Sequence, residues 1–292
     1  MKSGNRLLLI GALCVVVIWS ETFISSKILL DRGLKPADIF FCRFLLAYLC
    51  VWPVSRKHFW AKSLADELKL FLLGFTGGAL YFLAENTALE YSTASNVALV
   101  LCCVPLVTAI LMSLVYKDER MNRRQITASL ISLAGMVMVV LNGNLVLHLN
   151  PVGDLLAFGA VLVWGVYSLL VKTLSGKYDS IFLSRKVFAY GLISILPYFW
   201  FVSPLQIELK LISETVVWAN LVYLGVVASM FCYVIWNKAM AKIGTVMTTN
   251  LLYCQPFFAM FFAHLIMGDR ITWMAIAGTV ILTIGMIRVE RG

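Results

Sequence analysis

Charged residues are scarce in this chain, at 13% of 292 residues, while 61% of the residues are hydrophobic. A soluble domain carries about a quarter of its residues as charged side chains. A water-exposed surface is therefore excluded for most of the chain. Apolar runs of about 20 residues recur from end to end, and each could cross the roughly 30 Å hydrocarbon layer of a bilayer. The sequence predicts an all-α integral membrane protein.

Residues typical of enzyme chemistry are also few. The only histidines are His58, His148 and His264, which lie at the ends of apolar runs, and no HExxH motif or Ser–His arrangement is present. The seven cysteines all lie inside apolar runs, without the spacing of metal ligands. We therefore expect no catalytic residues, no metal and no cofactor other than a coupling proton. An intramembrane enzyme or a channel is a weaker alternative.

The net charge of +9 could suggest a nucleic-acid partner, but the basic residues lie in short turns between apolar runs. Most of the lysines and arginines fall on the side of the membrane that holds the N-terminus. The other side holds only Arg32, Lys35, Lys210 and Arg270. The positive-inside rule then places both termini in the cytoplasm. The expected partners are a small-molecule cargo and the lipid bilayer, with no nucleic acid; a homodimer stays open.

The chain contains an internal repeat. Residues 74–105 resemble residues 225–256, so that Gly74 and Pro105 recur at a constant spacing as Gly225 and Pro256. A period of this length indicates two related halves rather than a solenoid. We place them at residues 1–145 and 146–292.

The apolar runs predict ten membrane spans, five in each half. They cover about 6–30, 36–55, 67–89, 92–116, 124–142, 152–174, 181–202, 214–238, 244–267 and 271–289. Because five is odd, the second half must enter the membrane from the opposite side. The expected fold is ten transmembrane helices as two inverted five-helix repeats around a central cavity, an arrangement that supports alternating access.

Two acidic residues lie within predicted spans. Glu21 lies past the middle of the first span, and Glu85 lies in the third span, one helical turn after Tyr81. A carboxylate at this depth is costly unless it is paired, protonated or in a wet cavity. Either residue could bind a cargo ammonium or a coupling proton. The alternative for Glu21 is a structural ion pair with Arg43 or Lys27.

Other residues near these acids could also bind cargo. The predicted binding set is Trp19, Glu21, Tyr81, Glu85, Trp164, Tyr167, Tyr233, Asn250 and Tyr253. Aromatic rings can hold a cation by cation–π contact, and Asn250 can supply neutral hydrogen bonds. Pro105 and Pro256 are expected to kink their helices and act as hinges. Packing alone remains an alternative for each of these residues.

Two arginines occupy equivalent places near the start of the second span of each half. We expect Arg43 and Arg185 to be anchors that extend their charged ends to the membrane surface. A nucleotide-sugar carrier would need basic residues in its cavity, and only Lys27, Arg43 and Lys172 could serve.

The chain resembles the EamA-type branch of the drug/metabolite transporter superfamily over essentially its whole length. In the first half the resemblance rests on Trp19, Lys27, Arg43 with the Phe44-Leu45-Leu46-Ala47 that follows, Ala88, Ala94, Pro105, Glu119, Gln125 and Gly135. In the second half it rests on Trp164, Lys172, Ala239, Met240, Gly244, Pro256, Asp269 and Gly285. Each motif is weak alone, and their order and spacing together are fairly specific.

This resemblance implies ten helices in two inverted repeats, and a secondary transporter of small metabolites. Such transporters often export amino acids or related amines across the bacterial inner membrane; a nucleotide-sugar-like or multidrug carrier is the alternative. Glu21 departs from the family, because this region is more often neutral in its members. An acidic centre favours a cationic or zwitterionic cargo, or proton exchange.

We predict that Glu21→Gln abolishes transport in proteoliposomes while the protein stays folded, because the amide removes the charge and keeps the shape. Full transport by this variant would remove Glu21 from the mechanism.

Overall fold

The computed structural model describes residues 3–55, 59–92, 94–141, 150–207, 211, 213–267 and 271–290. These residues form helices joined by turns, with no β-strand among them. This confirms the all-α prediction. The sequence predictions that involve His58, His148, Lys210, Asp269 and Arg270 lie outside this part of the chain.

The α-helices are numbered in chain order. They are α1 (Ser3–Ser20), α2 (Thr22–Asp31), α3 (Pro36–Val51), α4 (Leu64–Gly74), α5 (Tyr81–Tyr91), α6 (Ala94–Leu101), α7 (Val104–Val115), α8 (Arg123–Leu141), α9 (Pro151–Ser175), α10 (Ser180–Phe201), α11 (Thr215–Val222), α12 (Cys232–Ile243), α13 (Thr245–Asn250), α14 (Gln255–Met267) and α15 (Trp273–Glu290). Two π-helical segments, Phe75–Leu80 and Tyr223–Phe231, connect α4 to α5 and α11 to α12. Short 3₁₀ turns cover Lys117–Glu119 and Leu251–Cys254.

Among the described residues, seven helical stretches are long and apolar enough to cross a membrane. They are Asn5–Asp31, Leu64–Tyr91, Val97–Val115, Arg123–Leu141, Pro151–Ser175, Ser180–Phe201 and Thr215–Ile243. The remaining predicted spans, at 36–55, 244–267 and 271–289, coincide with α3, with α13 and α14, and with α15, where the apolar helices are shorter or interrupted. The inverted repeat of ten spans stays a prediction.

The first long stretch is interrupted at Glu21, between α1 and α2. On either side, the Ser20 hydroxyl donates to the Val17 carbonyl and the Thr22 hydroxyl donates to the Trp19 carbonyl at 2.7 Å. Such side-chain bonds compete with the backbone bonds of a helix and favour a bend. Glu21 therefore lies at an irregular point of the chain rather than in a continuous helix.

Both predicted hinge prolines lie in the first turn of a new helix rather than in the interior of a bent one. Pro105 is the second residue of α7, which follows a two-residue turn after α6. Pro256 is the second residue of α14, which follows the 3₁₀ turn Leu251–Cys254. A proline fits this position because the first N–H groups of a helix have no intrahelical partner. The expected kinks are thus breaks between helices.

Glu119 connects three separate parts of the chain. Its side chain is 8% exposed and pairs with the Lys172 ammonium on α9 at 3.0 Å. Its two carboxylate oxygens also accept the backbone N–H groups of Thr245 and Val246, at 3.0 and 3.2 Å. A carboxylate is favourable there because the amino end of a helix carries partial positive charge. Glu119 thereby joins the turn before α8 to α9 and α13.

Helices α8 and α15 are in backbone contact along their glycines. A Cβ atom on Gly135 would lie 2.4 Å from the Leu282 nitrogen, and one on Gly278 would lie 2.7 Å from the Gly135 carbonyl oxygen. A Cβ atom on Gly285 would lie 2.3 Å from the Ser132 Oγ. Small residues at such contacts let helices approach closely inside a membrane, where van der Waals packing replaces the hydrophobic effect.

We predict that Gly135→Ala lowers the free energy of unfolding by about 1–3 kcal/mol, because the added methyl group forces two helix backbones apart. Gly159→Ala on α9 is the matched control, since a Cβ atom there would meet nothing within 4 Å. Thermal unfolding in detergent measures both variants. Equal melting temperatures for the two variants would contradict the close packing.

Candidate functional site

A cavity of about 100 Å³ lies in the middle of the helical bundle. Its wall combines residues from both predicted halves, including Trp19, Arg43 and Glu85 from the first, and Trp164 and Tyr233 from the second. One buried water needs about 10–15 Å³ by this kind of volume. The cavity therefore has room for several water-sized groups, enough for a small organic molecule.

Two buried side chains of opposite charge face this cavity. Arg43 on α3 is 2% exposed and Glu85 on α5 is 7% exposed. The Arg43 Nε donates to the Ser229 hydroxyl at 3.1 Å, and its guanidinium carbon lies 4.2 Å from the centre of the Phe82 ring. Removing two charges from water is costly, and inside a membrane such residues are usually functional.

Aromatic rings form much of the remaining wall. The Trp19 and Trp164 rings meet edge to face at 5.7 Å, and the Tyr81 ring lies 5.0 Å from Trp164. Tyr233 lies 6.1 Å from Trp19. The cavity is thus mostly apolar, with its charged groups confined to Arg43 and Glu85 among the described lining residues.

The two π-helical segments hold two of these rings in place. The Trp19 Nε1 donates to the Ala228 carbonyl at 2.8 Å, and the Tyr233 hydroxyl donates to the Gly77 carbonyl at 2.7 Å. Ala228 and Gly77 belong to Tyr223–Phe231 and Phe75–Leu80. π-Helical turns are often found at functional sites, and here their carbonyls accept from side chains of the other half.

Five residues of the predicted binding set line the cavity. They are Trp19, Tyr81, Glu85, Trp164 and Tyr233.

Tyr167 lies behind this wall. It is fully buried, and its hydroxyl donates to the Asn237 side-chain oxygen at 2.5 Å. Its ring packs on Trp164 at 5.0 Å. A Cβ atom on Gly77 would lie 2.2 Å from the Tyr167 ring. Tyr167 therefore supports the wall of the cavity without lining it.

Glu21, Asn250 and Tyr253 lie outside the residues that line the cavity. Glu21 is half-buried, and its Oε1 is enclosed without a hydrogen-bond partner among the described residues. The alternative ion pair for Glu21 is wrong, because Lys27 pairs with Asp31 at 3.0 Å and Arg43 bonds to Ser229.

The two other residues of the set have different surroundings. Tyr253 packs with Cys102, Met136 and Leu282. Asn250 borders two other clefts, and both polar atoms of its amide are buried without a partner among the described residues. Of the two predicted hinges, Pro256 lines the cavity, while Pro105 is buried next to the lining residue Val104.

The prediction that Arg43 and Arg185 are surface anchors is wrong. Arg43 lies about two turns inside α3, which begins at Pro36. It is 2% exposed and bonds to Ser229 inside the protein. Arg185 is 4% exposed, donates to the Ser55 carbonyl and lies over the rings of Phe59 and Phe182. Its burial among aromatic rings makes it a structural residue.

Eleven of the lining residues were not among the predicted binding or hinge residues, and Arg43, Phe82 and Gln255 are three of them. Gln255 donates to the Trp19 carbonyl at 3.3 Å, next to the break at Glu21. The depth of Arg43 in its helix could have been found by counting the residues between it and Pro36, the residue that starts the helix.

We predict that Trp19→Phe lowers the free energy of unfolding more than Trp164→Phe. Both changes remove the same atoms from buried rings, but only the first removes a hydrogen bond, the one from Nε1 to the Ala228 carbonyl. The Trp164 Nε1 has no hydrogen-bond partner within the described part of the chain. A buried hydrogen bond contributes about 0.5–1.5 kcal/mol. Thermal unfolding of both variants in detergent measures the difference, and equal losses would contradict the assignment.

Comparison with known proteins shows which proteins this chain is similar to. An uncharacterised transporter of Archaeoglobus fulgidus is 32% identical over 98% of this chain and 97% of the relative. A probable terminal-alkyne amino-acid exporter of Streptantibioticus cattleyicolor is 24% identical over 94% of this chain and 91% of the relative. A solved crystal structure has the same fold, with a TM-score of 0.75 at 16% identity, over 100% of this chain and 99% of the other.

The model of the EamA-like transporter family matches the chain twice, at residues 6–141 and 151–289. The family resemblance in the sequence is thereby confirmed. With nearly the whole length matched, the chain belongs to the EamA-like transporter family.

Proposed function

We propose that the protein is a secondary transporter that exports small metabolites such as amino acids across the cytoplasmic membrane. The observation that carries this proposal is the central cavity, where buried Arg43 and Glu85 lie among aromatic rings contributed by both halves. The cavity has room for a small organic molecule. The relative from Streptantibioticus cattleyicolor, named a probable amino-acid exporter, supports the direction and the cargo class.

The proposed mechanism is alternating access between two inverted repeats of five spans, with both termini in the cytoplasm. Two features support the repeat: the family model matches once in each half, and the two π-helical segments occupy equivalent positions in the halves. The excess of Lys and Arg on one side supports the orientation.

In this orientation, the contacts of Glu119 lie at the cytoplasmic end of the bundle. Lys172 pairs with Asp118 at 2.8 Å as well as with Glu119. Its hydrogen bond lowers the pKa of the Asp118 carboxyl, which therefore stays charged at neutral pH. These contacts hold α9 and α13 together, and they would have to open for cargo to enter from the cytoplasm.

The alternative function, transport of nucleotide sugars, is less well supported than transport of amino acids. Of the three basic residues that could bind its phosphates, Lys27 pairs with Asp31 and Lys172 pairs with Asp118 and Glu119. Arg43 is then the one member of the three that lines the cavity. It faces Glu85, whose negative charge would repel a phosphate.

We predict saturable counterflow in proteoliposomes loaded with the twenty unlabelled amino acids, when each labelled amino acid is offered outside in turn. Ala98→Trp should lower this exchange at least tenfold, because Ala98 lines the cavity and the indole would fill it. Leu155→Trp is the control, since Leu155 is 72% exposed on the outer surface. Flux that does not saturate would indicate a channel, and absence of exchange for all twenty would contradict the proposal.

A further inference from the structure

We propose that the cavity binds the zwitterionic head group of an α-amino acid with an apolar side chain: Arg43 takes the carboxylate and Glu85 takes the ammonium. This inference rests on the proposed function and names its cargo class.

Arg43 has donors left for a carboxylate. A guanidinium carries five N–H donors in a flat fork. In the part of the chain that the structure describes, the hydrogen bond of this side chain is the one from Nε to Ser229. The two terminal nitrogens remain for a ligand, and two parallel N–H donors match the two oxygens of a carboxylate.

The orientation of this guanidinium is fixed before cargo binds. Ser229 is fully buried in the second π-helical segment and holds Nε, while the Phe82 ring lies under the guanidinium plane at 4.2 Å. A group held in this way loses little conformational freedom on binding, and that favours affinity. Neither contact is a hydrogen bond of the two terminal nitrogens, and Arg43 lines the cavity.

Glu85 supplies the opposite charge from a different helix. It lies on α5, one turn after Tyr81, and both residues line the cavity. A carboxylate accepts hydrogen bonds from an ammonium, and the electron-rich faces of nearby rings add cation–π attraction. The rings of Tyr81 and Trp164, 5.0 Å apart, lie on the same wall.

Arg43 and Glu85 both line the cavity and carry opposite charges. Their charges interact through space, yet no direct ion pair joins them among the described residues. A simple cation or anion would neutralise one residue and leave the other buried and unpaired, which is costly. A zwitterion neutralises both residues at once, and the aromatic wall then meets its apolar side chain.

The test uses three probes of one shape: leucine, isoamylamine, which lacks the carboxylate, and 4-methylpentanoate, which lacks the ammonium. Calorimetry on the purified protein in detergent measures their dissociation constants. We expect the wild type to bind leucine at least tenfold more tightly than either analogue. Weaker or absent leucine binding would overturn the proposal.

The variants separate the two head-group contacts. Glu85→Gln should weaken the binding of leucine at least tenfold and change the binding of 4-methylpentanoate by no more than about twofold. Arg43→Gln should weaken the binding of leucine and leave the binding of isoamylamine unchanged. Glu90→Gln, on the exposed face of α5, and Arg124→Gln, on the exposed end of α8, are the matched controls. Equal losses for all three probes in both variants would make Arg43 and Glu85 a structural pair and overturn the proposal.

A variant with one buried charge left unpaired can fail to fold. The double variant Arg43→Gln with Glu85→Gln avoids this, because it keeps the cavity neutral. We expect it to fold and to bind leucine no better than the analogues; retained preference for leucine would overturn the assignment. If the three probes do not show the expected binding pattern but counterflow persists, the head-group assignment fails and the proposed transport function is retained. If counterflow is absent for all amino acids, the proposed transport function fails as well.

Discussion

The cavity depends on two hydrogen bonds that cross between the halves in opposite directions. Trp19 donates to Ala228, and Tyr233 donates to Gly77. A polar group in the apolar interior of a membrane protein must find its partner within the protein. The π-helical turns meet this requirement with carbonyls that accept from aromatic side chains. These bonds fix the rings that surround Arg43 and Glu85.

The sequence predicts the helices and most of the aromatic wall because both have strong local patterns. Runs of apolar residues specify helices by length, and the repeat directs attention to Trp19 and Trp164 as equivalent positions. The predicted span of Arg43 begins where α3 begins, but the burial of Arg43 was missed, since it depends on contacts with Phe82 and Ser229, which are distant in the sequence. The π-helical segments and the packing of Tyr253 depend on contacts between distant helices, which no local pattern in one sequence specifies.

The two predicted halves differ at the cavity. In the repeat, Glu85 corresponds to Trp236, which is fully buried and packs on Trp19 at 4.9 Å. Arg43 corresponds to Arg185, which is directed to the Ser55 carbonyl instead. The charged groups of the cavity therefore come from the first half, while the second half supplies Ser229 and aromatic rings. A cargo with both charged groups at one end, such as the proposed α-amino acid, fits this site better than a cargo with charged groups at both ends.

The contact between α8 and α15 limits how the bundle can rearrange. Gly135, Gly278 and Gly285 each lie against backbone or side-chain atoms of the facing helix, with no space for one further carbon. A shift of either helix by one turn would bring larger side chains to these points and separate the backbones. The two helices can therefore move only together, as one rigid unit, in any rearrangement of the bundle.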